Sequence, residues 1–241
     1  LNSDLTTSRI WLDEVLRYFV LGRPGLPKYG MQEIPNQLSR GITDFIKLNT
    51  KVNQVETNQV VSSDQSWSAK YVVLATDPVT TAQLLGTTPP MMNSVSTHYF
   101  SIKHRNRGPR TKLLAIDGSA SPGPAVNSVV LTDAATSYAP AGYDLVATSV
   151  IDANSSVDLA QVQSHTALLH TLNPADLNLI SSFEIPAALP QTDYVDKAKL
   201  KSFKSDGIYV ASDLITTPSI NGAISSGQMV ADDILLTELK G

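Results

Sequence analysis

The run Tyr71-Val-Val-Leu-Ala75 constrains this chain more than any other stretch. Five apolar residues in a row, without a polar alternation, suit a strand buried on both faces, as in a parallel sheet covered by helices. Thr76-Asp77-Pro78 stops that strand, and Val79 to Leu85 suits a short helix. A second short apolar strand is expected at Gly207 to Ala211, followed by a Gly- and Pro-containing loop from Ser212 to Gly222. A closing helix then fits Ala223 to Leu239, where Ile224, Met229, Val230, Ile234 and Leu235 recur at near-helical spacing.

The rest of the chain reads as a mixture. Ser8 can cap a helix through Val20, with Trp11, Val15 and Phe19 at four-residue steps and Leu12 and Leu16 beside them. Gly22 ends it, and Pro24 and Pro27 prevent a restart. A second helix is expected from Glu33 to Ile42, with Pro35 in its first turn. Short strands are expected at Ile46 to Asn49, Val52 to Glu56 and Gln59 to Val61. From Ser94 to Asp152, strand patterns at His98–Lys103, Lys112–Ile116, Val126–Leu131 and Asp144–Ile151 alternate with Gly- and Pro-rich breaks, the pattern of an antiparallel meander. Val157 to Leu172 suits a helix that Asn173-Pro174 ends.

Bulk properties remove several classes of function. A chain of 241 residues forms one or two domains, and 42% hydrophobic with 17% charged residues is ordinary globular composition. Without cysteine there is no disulfide, thiolate metal site or cysteine nucleophile. A net charge of −4 argues against nucleic acid, which favours a basic face. No apolar run approaches the ~20 residues of a transmembrane helix. The first residues carry no signal-peptide pattern, so an intracellular location is favoured.

The chemistry concentrates at the end of the chain. Asp213 lies just beyond a strand, where a carboxylate reaches the mouth of a sheet. Asn221-Gly222-Ala223 opens the closing helix, and small residues there let backbone N–H groups approach a ligand at the positive end of the helix. Ser225-Ser226-Gly227 continues the small-residue run. A plain helix packed on a strand, with Asp213 as a turn residue, would produce the same pattern.

Gly207-Ile-Tyr-Val-Ala-Ser-Asp213, with Ser219-Ile-Asn-Gly-Ala223 and Ser226-Gly227, resembles the closing motif of FAD-dependent amine oxidases, phytoene desaturases and protoporphyrinogen oxidases. The resemblance implies that Asp213 takes part in binding the FAD ribityl and pyrophosphate region, with Asn221, Gly222 and Ala223 near the flavin ring. Where the family usually has Gly before the aspartate, this chain has Ser212. Other blocks resemble the family in the same order. Gly30-Met31 with Ile34-Pro35 and Leu38 is similar to the segment before the returning cofactor-domain strands. Ile46 to Val55 is similar to the strand pair whose valine backbone contacts adenine, with Val52 at that position. Tyr71 to Pro78 is similar to the strand and turn closing the cofactor domain, which puts Ala75 and Thr76 near the dinucleotide. Tyr138-Ala-Pro-Ala-Gly142 and Ile185-Pro-Ala-Ala-Leu-Pro190 resemble two landmarks of the substrate domain.

The resemblance implies a partial FAD-binding domain, Rossmann-like and of glutathione reductase type, with a substrate domain of antiparallel sheet and helices. The expected division is a substrate-domain helix in 1–25, the remainder of the FAD-binding domain in 26–90, the substrate domain in 91–203 and the closing FAD-binding strand and helix in 204–241. The family's amino-terminal Gly-x-Gly-x-x-Gly turn does not occur in this sequence. The expected function is therefore the carboxy-terminal part of a flavin-dependent oxidoreductase that oxidises a C–H or C–N bond of a small-molecule substrate by hydride transfer to FAD. The alternative is a non-catalytic scaffold that binds a hydrophobic ligand or a protein partner. An isolated chain is expected to be inactive, and to self-associate or to stay with the missing amino-terminal segment. No catalytic base stands out. His165 and His170, five apart, do not align as ligands on one helix face, and no metal site is expected. The basic cluster Lys103, His104, Arg105, Arg107 and Arg110 reads as a solvated hairpin end, and Glu184 as a charged strand end.

Overall fold

The computed structural model describes residues 9–22, 25–106, 114–151, 157–191, 203–205 and 207–240. In chain order its main elements are α1 (Arg9–Leu21), α2 (Glu33–Leu38), β1 (Val52–Glu56), β2 (Gln59–Ser62), β3 (Ser66–Ser68), β4 (Val73–Leu74), α3 (Pro78–Leu85) and β5 (Met92–Lys103). There follow β6 (Leu114–Ala115), β7 (Asn127–Val130), α4 (Leu131–Ala134), β8 (Tyr143–Ile151), α5 (Leu159–His170), β9 (Asn178–Pro190), β10 (Phe203–Ser205), β11 (Ile208–Val210) and α6 (Ile220–Glu238). The result is a mixed helix-and-sheet protein. The chain divides into two compact units. No helix among the described residues is long and apolar enough to cross a membrane.

The first unit is built from Ile46–Met92 and Leu189–Gly241, with the first turn of α1. Its centre is the parallel pairing of β4 with β11, in the register Val73↔Tyr209 and Leu74↔Val210. The Tyr209 N–H donates to the Val72 carbonyl at 2.9 Å and the Ala211 N–H to the Leu74 carbonyl at 2.8 Å. β10 lies antiparallel on the other side of β11. Val72, Leu74, Ile208 and Val210 form the core, covered by Val55 and Val60 of the β1–β2 hairpin and by Leu84 and Leu85 of α3. The Asp77 side chain accepts from the N–H groups of Val79 and Thr80 and so starts α3. Gly86 stops it in the left-handed conformation, φ 66°.

Three sequence expectations change here. The Tyr71–Ala75 run is covered on one face only: Val72 and Leu74 are buried, whereas Val73 is 40% exposed and Ala75 is exposed. Alternation along a strand sends these pairs to opposite faces, and β4 is the edge of its sheet. Ile46 to Asn49 forms no strand, because Asn49 takes a positive φ of 56°, which breaks an extended ladder. The second helix stops at Leu38 rather than Ile42, in turns that lead to Gly41 at φ 88°.

The second unit holds Glu14–Phe45 and Asn93–Ala188. Its five-stranded sheet has the order β6-β7-β8-β5-β9. β5 and β8 pair antiparallel over a long register, from Val95↔Ile151 to Lys103↔Tyr143. β6, β7 and β8 pair antiparallel in succession, but β5 joins the sheet beside β8 and not beside β6, so the four-strand meander expected from the sequence is not formed. Phe100, Ile102, Val130, Val146 and Val150 meet Val162 and Ala167 of α5 in the core. Strand β7 ends at Val130, one residue before the expected Leu131, which opens α4.

A chain of hydroxyls also joins α5 to the sheet. His170 Nε2 lies 2.8 Å from Ser128 Oγ, which is 2.8 Å from Thr148 Oγ1, itself 2.9 Å from Thr166 Oγ1. Thr166 donates to the Val162 carbonyl at 2.8 Å. That last bond orders the others, since each hydroxyl has one proton: Thr148 donates to Thr166, Ser128 shares its proton between Thr148 and the Ala147 carbonyl 3.3 Å away, and His170 donates to Ser128. Every buried polar atom in the row is thereby satisfied.

β9 has no counterpart in the sequence reading. Ser181, Ser182, Glu184, Pro186 and Pro190 break any apolar period along it. As the edge strand, β9 tolerates the missing N–H of proline. Glu184 therefore stands in mid-strand, not at a strand end. Phe183 packs edge-on against Tyr99, ring centres 5.9 Å apart.

Phe100 is fully buried at the centre of this unit. Phe100→Ala is expected to lower unfolding free energy by about 3–5 kcal/mol, read from urea or guanidinium unfolding curves.

Candidate functional site

The parallel register brings two strand ends together. Beyond β4 come Ala75 and Thr76, both exposed, and beyond β11 come Ala211, Ser212 and Asp213. The crevice outside the carboxyl ends of parallel strands is where open α/β sheets bind ligands. Thr76 is steadied by α3, its Oγ1 lying 2.8 Å from Thr81 Oγ1.

Asp213 begins a short 3-10 turn capped by Ser212, whose Oγ accepts from the Leu214 N–H at 3.1 Å. The turn rests on the start of α6. The Ser212 N–H donates to Ser226 Oγ at 2.6 Å, and Thr216 Oγ1 donates to the Gly222 carbonyl at 2.9 Å. The turn that carries Asp213 is thus bonded to α6 at Gly222 and Ser226. Burial pushes the Asp213 carboxyl above the usual carboxylate range, and this outweighs the opposing hydrogen bonds from Ser212 and nearby backbone N–H groups. A half-buried carboxylate in this condition suits a partner with hydroxyl donors.

α6 starts at Ile220, three residues earlier than expected, with Ser219 as its cap. Asn221, Gly222 and Ala223 therefore lie inside its first turn. The Gly222 N–H is taken by Ser219 Oγ at 3.0 Å, and a Cβ there would stand 1.9 Å from the Thr217 carbonyl oxygen. Glycine is required there so that the Thr216–Thr217 loop can fold over the helix. Asn221 and Ala223 are exposed beside it.

Val52 opens β1 opposite Ser62, with an irregularity in register just beyond it. It shares no described hydrogen bond with the other candidates. Among the described residues no group of three metal-ligating side chains occurs. His165 is buried, accepting the Ala125 N–H at Nδ1 and donating from Nε2 to Asp117. Of the basic cluster, Lys103, His104 and Arg105 are exposed, but they follow the end of β5, which does not pair with the next strand, β6, so they stand at a strand end and not at a hairpin, and His104 is paired to the buried Asp144. Arg107 and Arg110 lie outside the described residues. Sequence reasoning missed the Ser212–Ser226 and His104–Asp144 contacts, because each joins residues that only the strand and helix geometry brings together.

The chain matches the family model of flavin containing amine oxidoreductases over residues 2–235. Its structure is similar to that of a protein from Pyrococcus furiosus, at 16% identity and TM-score 0.67, covering 95% of this chain and 58% of that one. It is also similar to a candidate protoporphyrinogen oxidase from Exiguobacterium sp. 255-15, at 13% identity and TM-score 0.62, covering 86% and 51%. A putrescine oxidase variant with redesigned cofactor binding aligns at 14% identity and TM-score 0.61, covering 86% and 53%. Identities this low carry the fold alone, and the chain spans about half the length of these structures. A comparison with curated proteins finds no match.

The upward shift of the Asp213 pKa has a sign that can be measured. A carboxyl whose folded value exceeds its unfolded value favours folding while neutral, fully below pH 3.8, and that contribution is lost as pH rises through the folded value. Asp213→Asn should therefore raise the urea midpoint of the ligand-free protein at pH 7, with the gain vanishing near pH 3.

Proposed function

The chain belongs to the flavin containing amine oxidoreductases, and on that premise we propose that it carries the closing part of a Rossmann-like, glutathione reductase type FAD site together with a substrate domain. FAD is the cofactor of this family. The observation that carries the reading is the joint position of Asp213 and the Ala75-Thr76 turn at the carboxyl ends of a parallel strand pair, with the residues flanking Asp213, Ser212 and Thr216, bonded to α6.

The residues fit the group. Asp213, half-buried and short of strong donors, would accept hydroxyl donors of the ribityl chain. Ala75 and Thr76 would line the dinucleotide from the neighbouring strand end, and the backbone of Val52 would meet the adenine. Asn221 and Ala223, exposed on the first turn of α6, would lie under the flavin ring. The bound flavin would supply two-electron redox chemistry, with a C–H or C–N bond of a small-molecule substrate as the hydride source. The second unit would be the substrate domain, its five-stranded sheet forming one wall. In the first unit, Val73 on the open face of β4 and Ile220, Ile224 and Leu235 on α6 leave apolar surface exposed. We propose that a further segment carrying the dinucleotide turn, or a second copy of the chain, covers this surface.

A second reading has its own support. The Gly222 N–H is capped by Ser219, and Ser212 fills the place where the family usually has glycine. Both features suit a scaffold that keeps the fold and binds a hydrophobic ligand or a protein partner without catalysis.

A visible absorption spectrum of the purified chain, before and after mixing with excess FAD and gel filtration, separates the two. The flavin reading expects a retained flavin band and at least a tenfold loss of affinity in Asp213→Ala, equivalent to about 1.4 kcal/mol. A folded chain that stays colourless would support the scaffold and remove the cofactor role of Asp213.

A further inference from the structure

The sequence holds one Asn-Gly pair, Asn221-Gly222, and it lies in the first turn of α6. Asparagine before glycine is the arrangement most open to deamidation. A following residue without a side chain leaves its backbone nitrogen uncrowded and its backbone free to turn, so that this nitrogen can attack the asparagine amide. The fold tolerates nothing larger at 222, where a Cβ would stand 1.9 Å from the Thr217 carbonyl oxygen. Asn221 itself is exposed, so water reaches its side-chain amide.

The loop that imposes the glycine also guards the pair. The Gly222 N–H donates to Ser219 Oγ at 3.0 Å. The Ser219 hydroxyl in turn donates to the Thr217 carbonyl at 3.3 Å, and Thr217 Oγ1 lies 3.2 Å from it. Thr217 thus requires the glycine and steadies the cap on its nitrogen. Ring closure needs two changes that this geometry withholds. The Gly222 nitrogen must give up its proton, and the backbone at Asn221 must leave the helical conformation to bring that nitrogen to Cγ. Both wait for the first turn of α6 to open, as amide hydrogen exchange does.

We propose that Asn221-Gly222 is a deamidation site gated by the Ser219 cap. In the opened turn the Gly222 nitrogen loses its proton and bonds to Asn221 Cγ, and the side-chain nitrogen leaves as ammonia, giving a cyclic imide. Water then adds to one of the two imide carbonyls and breaks that carbon's bond to nitrogen, so that the amide has been exchanged for a carboxylate. Cleavage at Cγ leaves an aspartyl residue. Cleavage at the main-chain carbonyl leaves an isoaspartyl residue, which lengthens the backbone by one carbon. A new carboxylate at the positive end of α6 suits the helix. The extra carbon does not: it displaces the Gly222 carbonyl from Thr216 Oγ1, 2.9 Å away in the intact chain, and so loosens the turn that carries Asp213. None of this depends on the flavin reading.

The test follows conversion of Asn221 in the whole chain at neutral pH by peptide mapping, with the chain unfolded in guanidinium chloride as the reference. Asn221 should be the first asparagine converted in the unfolded chain, and should react at least about tenfold more slowly in the folded one, in step with the hydrogen-exchange protection of the Gly222 amide. Ser219→Ala should speed conversion in the folded chain about fivefold, the loss of one helix cap. Ser219→Thr, which keeps the hydroxyl, should restore the slow rate. Equal rates in folded and unfolded chain, or a rate in Ser219→Ala no faster than in the unaltered chain, would overturn the proposal. If Ser219→Ala does not fold, the folded-to-unfolded ratio of the unaltered chain and the Gly222 protection still decide it.

Discussion

The parallel pairing of β4 with β11 is the contact on which the first unit depends. It joins segments from opposite halves of the chain, so none of its stabilisation is local, and two backbone hydrogen bonds and four buried aliphatic side chains hold it. Everything proposed for the cofactor follows from it. Only the parallel direction puts the turn after Leu74 and the turn after Val210 at the same end of the sheet. Ser226 and Thr216 then anchor α6 on that end, and an antiparallel pairing would have separated Asp213 from Thr76.

The second unit is organised by a different rule. Its sheet is antiparallel and local, and its contact with α5 mixes aliphatic packing with a directed row of hydroxyls from His170 to Val162. Such a row contributes little net energy when complete, but leaves costly unpaired groups if the helix slips. It therefore fixes the register of α5 more sharply than apolar contact alone. The same unit carries the Asp144–His104–Thr132 array at the Lys103↔Tyr143 end of the β5–β8 pair, a second place where a buried polar group is hydrogen-bonded.

Much of this was legible in the residues. The apolar runs at 71–75 and 207–211 marked the two parallel strands, and Asp77-Pro78 marked the start of α3. Gly- and Pro-rich breaks separated β5, β6, β7 and β8, but β5 begins at Met92, before the expected His98, and lies beside β8 rather than β6, because sheet order is set by pairing that the breaks do not specify. What the residues hid has physical causes. β9 is an edge strand, so no alternation is imposed on it and prolines are allowed. Asn49 adopts a left-handed conformation that its neighbours do not announce. Nothing in the composition around Gly222 announces that the protein's own Thr217 loop also requires a glycine there. His104 looked like part of a solvated basic cluster because its partner, Asp144, comes beside it only through the β5–β8 register.

The site at the ends of β4 and β11 is tested most directly by amide hydrogen exchange of the chain with and without saturating FAD. Slower exchange confined to the turn after β4, the Ser212–Thr217 loop and the first turns of α6 is the expected result. Unchanged exchange in those segments, with protection elsewhere in the chain, would contradict the assignment of that strand end to the flavin.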